Sequence, residues 1–116
     1  MKTAQPTRRL TYYTDPGHGW LAVDRADLDA LDIAHKITRY SHEKGTRVYL
    51  EEDLDAMTYL EAARAAGWRV TTRTNNEARN DSKIRSFAHY QPRITPAALI
   101  NAAQRIGKLH LIHVSN

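Results

Sequence analysis

The sequence predicts one small α/β or α+β domain, with two to three helices covering a mixed sheet of four to six strands. Three observations carry that expectation. A strand, an amphipathic helix and a second strand follow one another without a break from Thr46 to Thr74. Aromatic and β-branched runs flank the turn residues Asp15-Pro16-Gly17, as in a hairpin. The chain has 116 residues, room for one core and not for two.

Residues 1–9 are polar and contain Pro6, so they are expected to form a flexible arm before a compact domain spanning 10–116. Leu10 to Thr14 reads as the first strand and Trp20 to Val23 as its partner. Asp24 or Asp27 can cap a short helix, because an aspartate oxygen accepts the orphan amides of a first turn. Leu28, Leu31 and His35 then recur at i, i+3 and i+7 on its face. Ile37 to Tyr40 is expected to begin another strand, Ser41 to Gly45 to turn, and Thr46 to Leu50 to return as a strand.

Glu51-Glu52-Asp53 suits a helix start, where acidic groups meet the positive end of the dipole. The helix is expected over Leu54 to Ala66, with Leu54, Met57, Leu60 and Ala63 as its buried stripe. Gly67 follows in the C′ position, where a left-handed backbone costs glycine little. Trp68 to Thr74 alternates: Trp68, Val70 and Thr72 face one side, and Arg69, Thr71 and Arg73 the other. The unit fits a parallel or split βαβ arrangement. Asn75 to Asp81 is loop-like, and Ser82 to Tyr90 is a short irregular helix or strand. Thr95 and Pro96 open a helix with the stripe Leu99, Ala103 and Ile106. Gly107 is expected to end it, with a last strand over Leu109 to Val114.

Absence of cysteine excludes disulfides, thiolate nucleophiles and cysteine-ligated metals. No apolar run approaches the ~20 residues of a bilayer span, and no apolar leader core follows the early charges. The expected location is cytoplasmic, with no membrane contact. The net charge of +4 is unevenly divided. Residues 1–63 hold 8 Lys/Arg against 11 Asp/Glu, and residues 64–116 hold 9 against 2. A −3 half is thus joined to a +7 half, which suggests either surfaces pairing across the fold or a basic contact surface.

The binding candidates are Arg69, Arg73, Arg79, Lys83 and Arg85, whose guanidinium and ammonium donors match phosphate or carboxylate. Their spread suits a polymer backbone better than one compact ligand, and Trp68, Phe87 and Tyr90 are nearby candidates for base stacking. The expected partner is nucleic acid or an acidic protein surface, with a homodimer also open to so small a chain. A weaker catalytic candidate is His18, set between Gly17 and Gly19 on a turn, with Asp15 as orienter of a general acid or base. That alternative is a small hydrolase or transferase; a third is a structural or inhibitor module with an apolar interface.

Glu51, Glu52, Asp53 and Asp55 are explained by helix capping, and no cofactor or metal is expected. The six histidines form no HExxH, and His110 and His113 would point to opposite faces of a strand. No P-loop, dinucleotide-binding or GxSxG motif occurs.

The runs TYYTDPGHGWLAV, TRVYLEEDLDA and NDSKIRSFAHY resemble a set of small accessory proteins carried by bacteria, phages and plasmids. The resemblance covers residues 10–90. It implies an accessory role in binding a host or invading macromolecule, including inhibition of a defence system, and transfers no functional residue.

Overall fold

The computed structural model describes residues 5–93 and 95–114, with residues 108–114 described by backbone alone. Its strands are β1 (Thr7–Thr14), β2 (Gly19–Asp24), β3 (His42–Lys44), β4 (Arg47–Glu51), β5 (Arg69–Asn76) and β6 (Ala88–His89). Its α-helices are α1 (Arg25–Ala30), α2 (Asp55–Ala65) and α3 (Pro96–Val114), with 3₁₀ turns at Ala34–Lys36 and Lys83–Ser86. The strands form one mixed sheet in the order β5-β1-β2-β4-β3-β6. This is the α+β layering expected from the pattern, and β4–α2–β5 is a split βαβ unit. Its crossover spans β2 and β1, and β5 lies parallel to β1 at the sheet edge.

Strand alternation sorts the sheet into two faces. One face presents Leu10, Leu21, Val23, Val48 and Leu50 to Leu28, Ala56, Tyr59 and Ala63, and this is the core. Tyr59 is fully buried because its hydroxyl has a partner, donating to Asp27 Oδ2 at 2.9 Å. Arg8 closes the same site from β1, with Nε and Nη2 on the two Asp27 oxygens. Burial, then the Asp27 bond, pushes the Tyr59 phenol well above its ordinary range.

Five expectations are corrected. Thr7 to Arg9 belong to β1, in register with Arg69 to Thr71, so the arm is shorter than drawn; residues 1–4 lie outside the described residues. Ile37 to Tyr40 is not a strand. The strand is His42–Lys44, within the expected turn, and it pairs with β4 through a two-residue turn at Gly45-Thr46. Gly45 there has φ +60, a left-handed value that glycine adopts without strain.

The buried stripe of α2 is Ala56, Tyr59 and Ala63, while Leu54 and Met57 are 55% and 48% exposed. The rotation of the helix is set by Tyr59, whose buried hydroxyl bonds to Asp27, a fixed polar contact that Leu54 and Met57 cannot make. Finally, Gly107 does not stop α3, which continues to Val114 in place of the expected last strand. An interior glycine costs a helix only about 1 kcal/mol, and no proline follows. The alternation that separated His110 from His113 therefore does not apply; their side chains lie outside those described.

Thr95 caps α3 as expected, its Oγ1 accepting from Ala98 N at 3.0 Å. The helix docks on α1 through polar groups, with Asn101 Nδ2 on Asp29 O and Arg105 paired with Asp32. Its apolar stripe faces outward: Leu99 and Ile106 are 59% and 67% exposed. Among the described residues no helix is long and apolar enough to cross a membrane.

Candidate functional site

The sheet face opposite the α-helices carries the residues of interest. By register it presents Arg69, Thr71, Arg73 and Asn75 from β5, and Arg9, Thr11 and Tyr13 from β1. Trp20, Asp24, Arg47, Tyr49 and His42 follow across β2, β4 and β3. Arg69 and Arg73 stand four residues apart on one strand, about 13 Å. Arg9 is opposite Thr71, and a groove of about 540 Å³ runs among Arg9, Thr11, Arg47, Thr71 and Arg73. Arg73 Nε donates to Thr11 Oγ1 at 3.4 Å, which holds the guanidinium over the sheet. Arg47 pairs with Asp24 at 3.4 Å, an exposed contact of small energetic value.

On the same face lies a second groove of about 890 Å³, roofed by the loop after β5. Tyr13, Tyr49 and Phe87 line it beside Lys44, Lys83 and Asn80. The rings form a chain, with centroids 6.2 Å apart for Tyr13–Tyr49 and 5.2 Å for Tyr49–Phe87. Lys44 Nζ sits 4.8 Å from the Phe87 centroid, a cation–π contact. Phe87 is therefore half-buried against the open face, and is not in the main core. Tyr90 is fully buried, its hydroxyl on Ala34 O, and cannot stack on a ligand. Trp68 packs on the core side with Arg8 above it.

Among the described residues, Arg69, Arg73, Arg79 and Lys83 make no ion pair. Arg79 is exposed in the loop before the Lys83–Ser86 turn. Arg85 differs from the other four. Its Nε and Nη2 grip the two oxygens of Asp15 at 2.6 and 2.8 Å, and the Asp15 side chain is wholly buried. Asp15 also accepts from the amides of Gly17, His18 and Ser82 at 3.0, 2.9 and 2.8 Å. The Arg85 guanidinium foremost, then these amides, hold the Asp15 carboxyl far below its ordinary range against the opposing effect of burial. Asp15 is thus a structural hub joining the β1–β2 turn to the 3₁₀ turn. It touches His18 through the backbone amide, and among the described residues makes no bond to the imidazole, so it does not act as orienter.

His18 instead lines a cleft of about 580 Å³ with Trp20, Tyr40, His42, Glu52, Arg85 and His89. Trp20 is 3% exposed, and Arg85 lies over its ring at 5.9 Å. His42 and His89 stack with centroids 4.8 Å apart. Each is anchored through Nδ1, to Phe87 O at 2.9 Å and to Arg39 O at 2.8 Å. The loop carrying Tyr40 is held by buried Asp55, whose Oδ2 accepts from Thr38 N, Thr38 Oγ1 and Ser41 Oγ. Glu51 caps α2, accepting from the amides of Asp53, Leu54 and Asp55. Glu52 accepts from the Tyr12 hydroxyl at 3.1 Å. Gly19 lets the Tyr12 hydroxyl and ring pack closely here, since an added Cβ would force them to shift.

No family model, curated protein or solved structure matches the chain. The site rests on its own geometry. Sequence reasoning found the β5 arginines and their shared face. It missed Arg9 and Arg47, which come from the acidic half, and the His42–His89 pair. Period-two alternation in β1 and β4 places Arg9 and Arg47 on that face once the strand order is known. No sequence signal announces that β6 pairs with β3 and brings His89 to His42.

Proposed function

We propose that the chain is a non-enzymatic binding module that contacts single-stranded nucleic acid through the sheet face opposite its α-helices. The observation that carries this reading is the adjacency of two grooves on one face, Thr11 beside Tyr13 on β1 and Arg73 beside Asn75 on β5. One is lined by arginines and threonines, the other by three aromatic rings in tilted contact, with Lys44, Lys83 and two asparagines outnumbering the carboxylates of Glu77 and Asp81. Guanidinium forks and hydroxyls suit phosphate oxygens, and ring faces suit unstacked bases. Among the described residues Arg69, Arg73, Arg79 and Lys83 supply charge outside any ion pair, Arg9 adds to it, and Arg47 stands beside them paired with Asp24. Arg85 contributes by position, as the strut between Asp15 and Trp20. This partner agrees with the accessory role implied by the resemblance to phage and plasmid proteins.

The experiment compares labelled single-stranded RNA and DNA with a duplex and with polyglutamate, by fluorescence anisotropy at one salt concentration. Single strands are expected to bind most tightly, and Tyr13→Ala to weaken them by about tenfold, since one stacked base contributes about 1–3 kcal/mol. Equal binding of duplex or polyglutamate, with Tyr13→Ala silent, would make the face a general acidic-surface contact and overturn the proposal.

A further inference from the structure

We infer that the cleft floored by Trp20 is a base site selective for guanine. The inference rests on the single-strand reading for the class of ligand, and on separate residues for the selectivity. Trp20 and His42 lie on the same sheet face as the aromatic groove, Trp20 in register with Tyr13 and His42 with Tyr49. The 3₁₀ turn separates the two openings, with Lys83 on the groove side and Arg85 on the cleft side. A strand crossing that turn can leave one base in the cleft.

The hydrogen-bonding character of the cleft selects the base. A carbonyl oxygen only accepts, so the bonds to Phe87 O and Arg39 O assign the protons of His42 and His89 to Nδ1. In each neutral ring Nε2 is then an acceptor. Glu52 adds a carboxylate, with one oxygen on Tyr12 and the other without a bond among the described residues. Against these acceptors, to which Glu51 and Asp53 add carboxylates, stands the cationic donor Arg85. Arg85 has Nε and Nη2 locked on Asp15, while Nη1 makes no hydrogen bond among the described residues. Guanine is the base that offers N1–H and N2–H₂ donors on one edge and the O6 and N7 acceptors that arginine reads on another. The highly exposed Tyr40 ring supplies stacking surface, as in sites that take a base out of its stack, while the buried Trp20 beneath Arg85 forms the apolar floor. The carboxylate at the rim disfavours phosphate inside the cleft, so the backbone is expected to run outside it, toward Lys83.

The test uses the full chain and the four nucleoside 5′-monophosphates GMP, AMP, CMP and UMP, titrated by calorimetry. A Trp68→Phe background makes Trp20 the single tryptophan, so that quenching locates the site. GMP is expected to bind at least about tenfold more tightly than the other three, to quench Trp20, and to lose that preference in Glu52→Ala. Glu52 is exposed, so an unchanged melting temperature shows that the variant is folded. Equal binding of all four, no binding, or a preference that survives Glu52→Ala would overturn the inference. Binding of a guanine-free oligonucleotide, measured alongside, separates the two proposals. If it persists while GMP shows no preference, the base site falls and the sheet-face reading stands. If GMP is selected and no oligonucleotide binds, the base site stands and the sheet-face reading falls.

Discussion

Replacing Asp15 by asparagine removes the charge that holds the β1–β2 turn and the 3₁₀ turn together. In the native protein its oxygens accept five hydrogen bonds, two from Arg85 and three from backbone amides. The asparagine amide nitrogen must face donors on at least one side, so Arg85 or a backbone N–H loses its acceptor. Breaking one side of a buried pair costs about 3–5 kcal/mol. Arg85 is 33% exposed and can recover water, which places Asp15→Asn near the lower end, about 3 kcal/mol. For a chain of this length that lowers the melting temperature by about 12 °C.

Urea unfolding of both proteins from neutral to acid pH reads the effect and its sign. The native pKa of Asp15 is depressed, so its contribution is complete above the unfolded carboxylate range, near pH 4–5. It is lost as pH falls through that range toward the lower native value, because there the unfolded state binds more protons. The gap between wild type and variant should therefore narrow by about 1.4 kcal/mol per pH unit below about pH 4. A gap under about 1 kcal/mol at pH 7, or one that stays constant on acidification, would refute the hub.

The core assignment and the outward stripe of α3 are tested together by two truncations. Leu50→Ala should cost about 2–5 kcal/mol and Leu99→Ala no more than about 0.5 kcal/mol, read by the same urea curves. Comparable losses at both sites would place α3 in the core after all. Burial, and then the Glu52 carboxylate, push the Tyr12 phenol up to about 12. Glu52→Gln should lower it toward the ordinary value near 10 in a spectrophotometric titration, and no change would break the Tyr12–Glu52 contact.

What the sequence made legible follows from how local each signal is. The hairpin around Asp15-Pro16-Gly17, the Gly67 end of α2 and the Thr95–Pro96 start of α3 are written in adjacent residues, and all three stand in the structure. The phase of α2 is not local. It is decided by Tyr59 meeting Asp27 and Arg8, residues 32 and 51 positions away, which hydrophobic periodicity cannot see. The His42–Lys44 strand was hidden because its residues are polar and its turn needs only Gly45-Thr46. The charge division told a half-truth: Arg85, Arg93 and Arg105 pair with Asp15, Glu43 and Asp32 of the acidic half. Among the described residues Arg69 and Arg73 make no ion pair, and β1 and β4 add Arg9 and Arg47 beside them. The face is a product of strand order, not of sequence halves.

The central claim is that this face neutralises phosphates. Its most direct measurement is the salt dependence of single-strand affinity for the wild type and for Arg9→Ala/Arg69→Ala/Arg73→Ala. All three side chains are exposed, so the variant should fold normally. Each phosphate contact contributes about 0.7 to the slope of log affinity against log salt, so losing three should flatten it by about 2. Weaker binding with that flatter slope is the predicted result; an unchanged affinity and slope would contradict it.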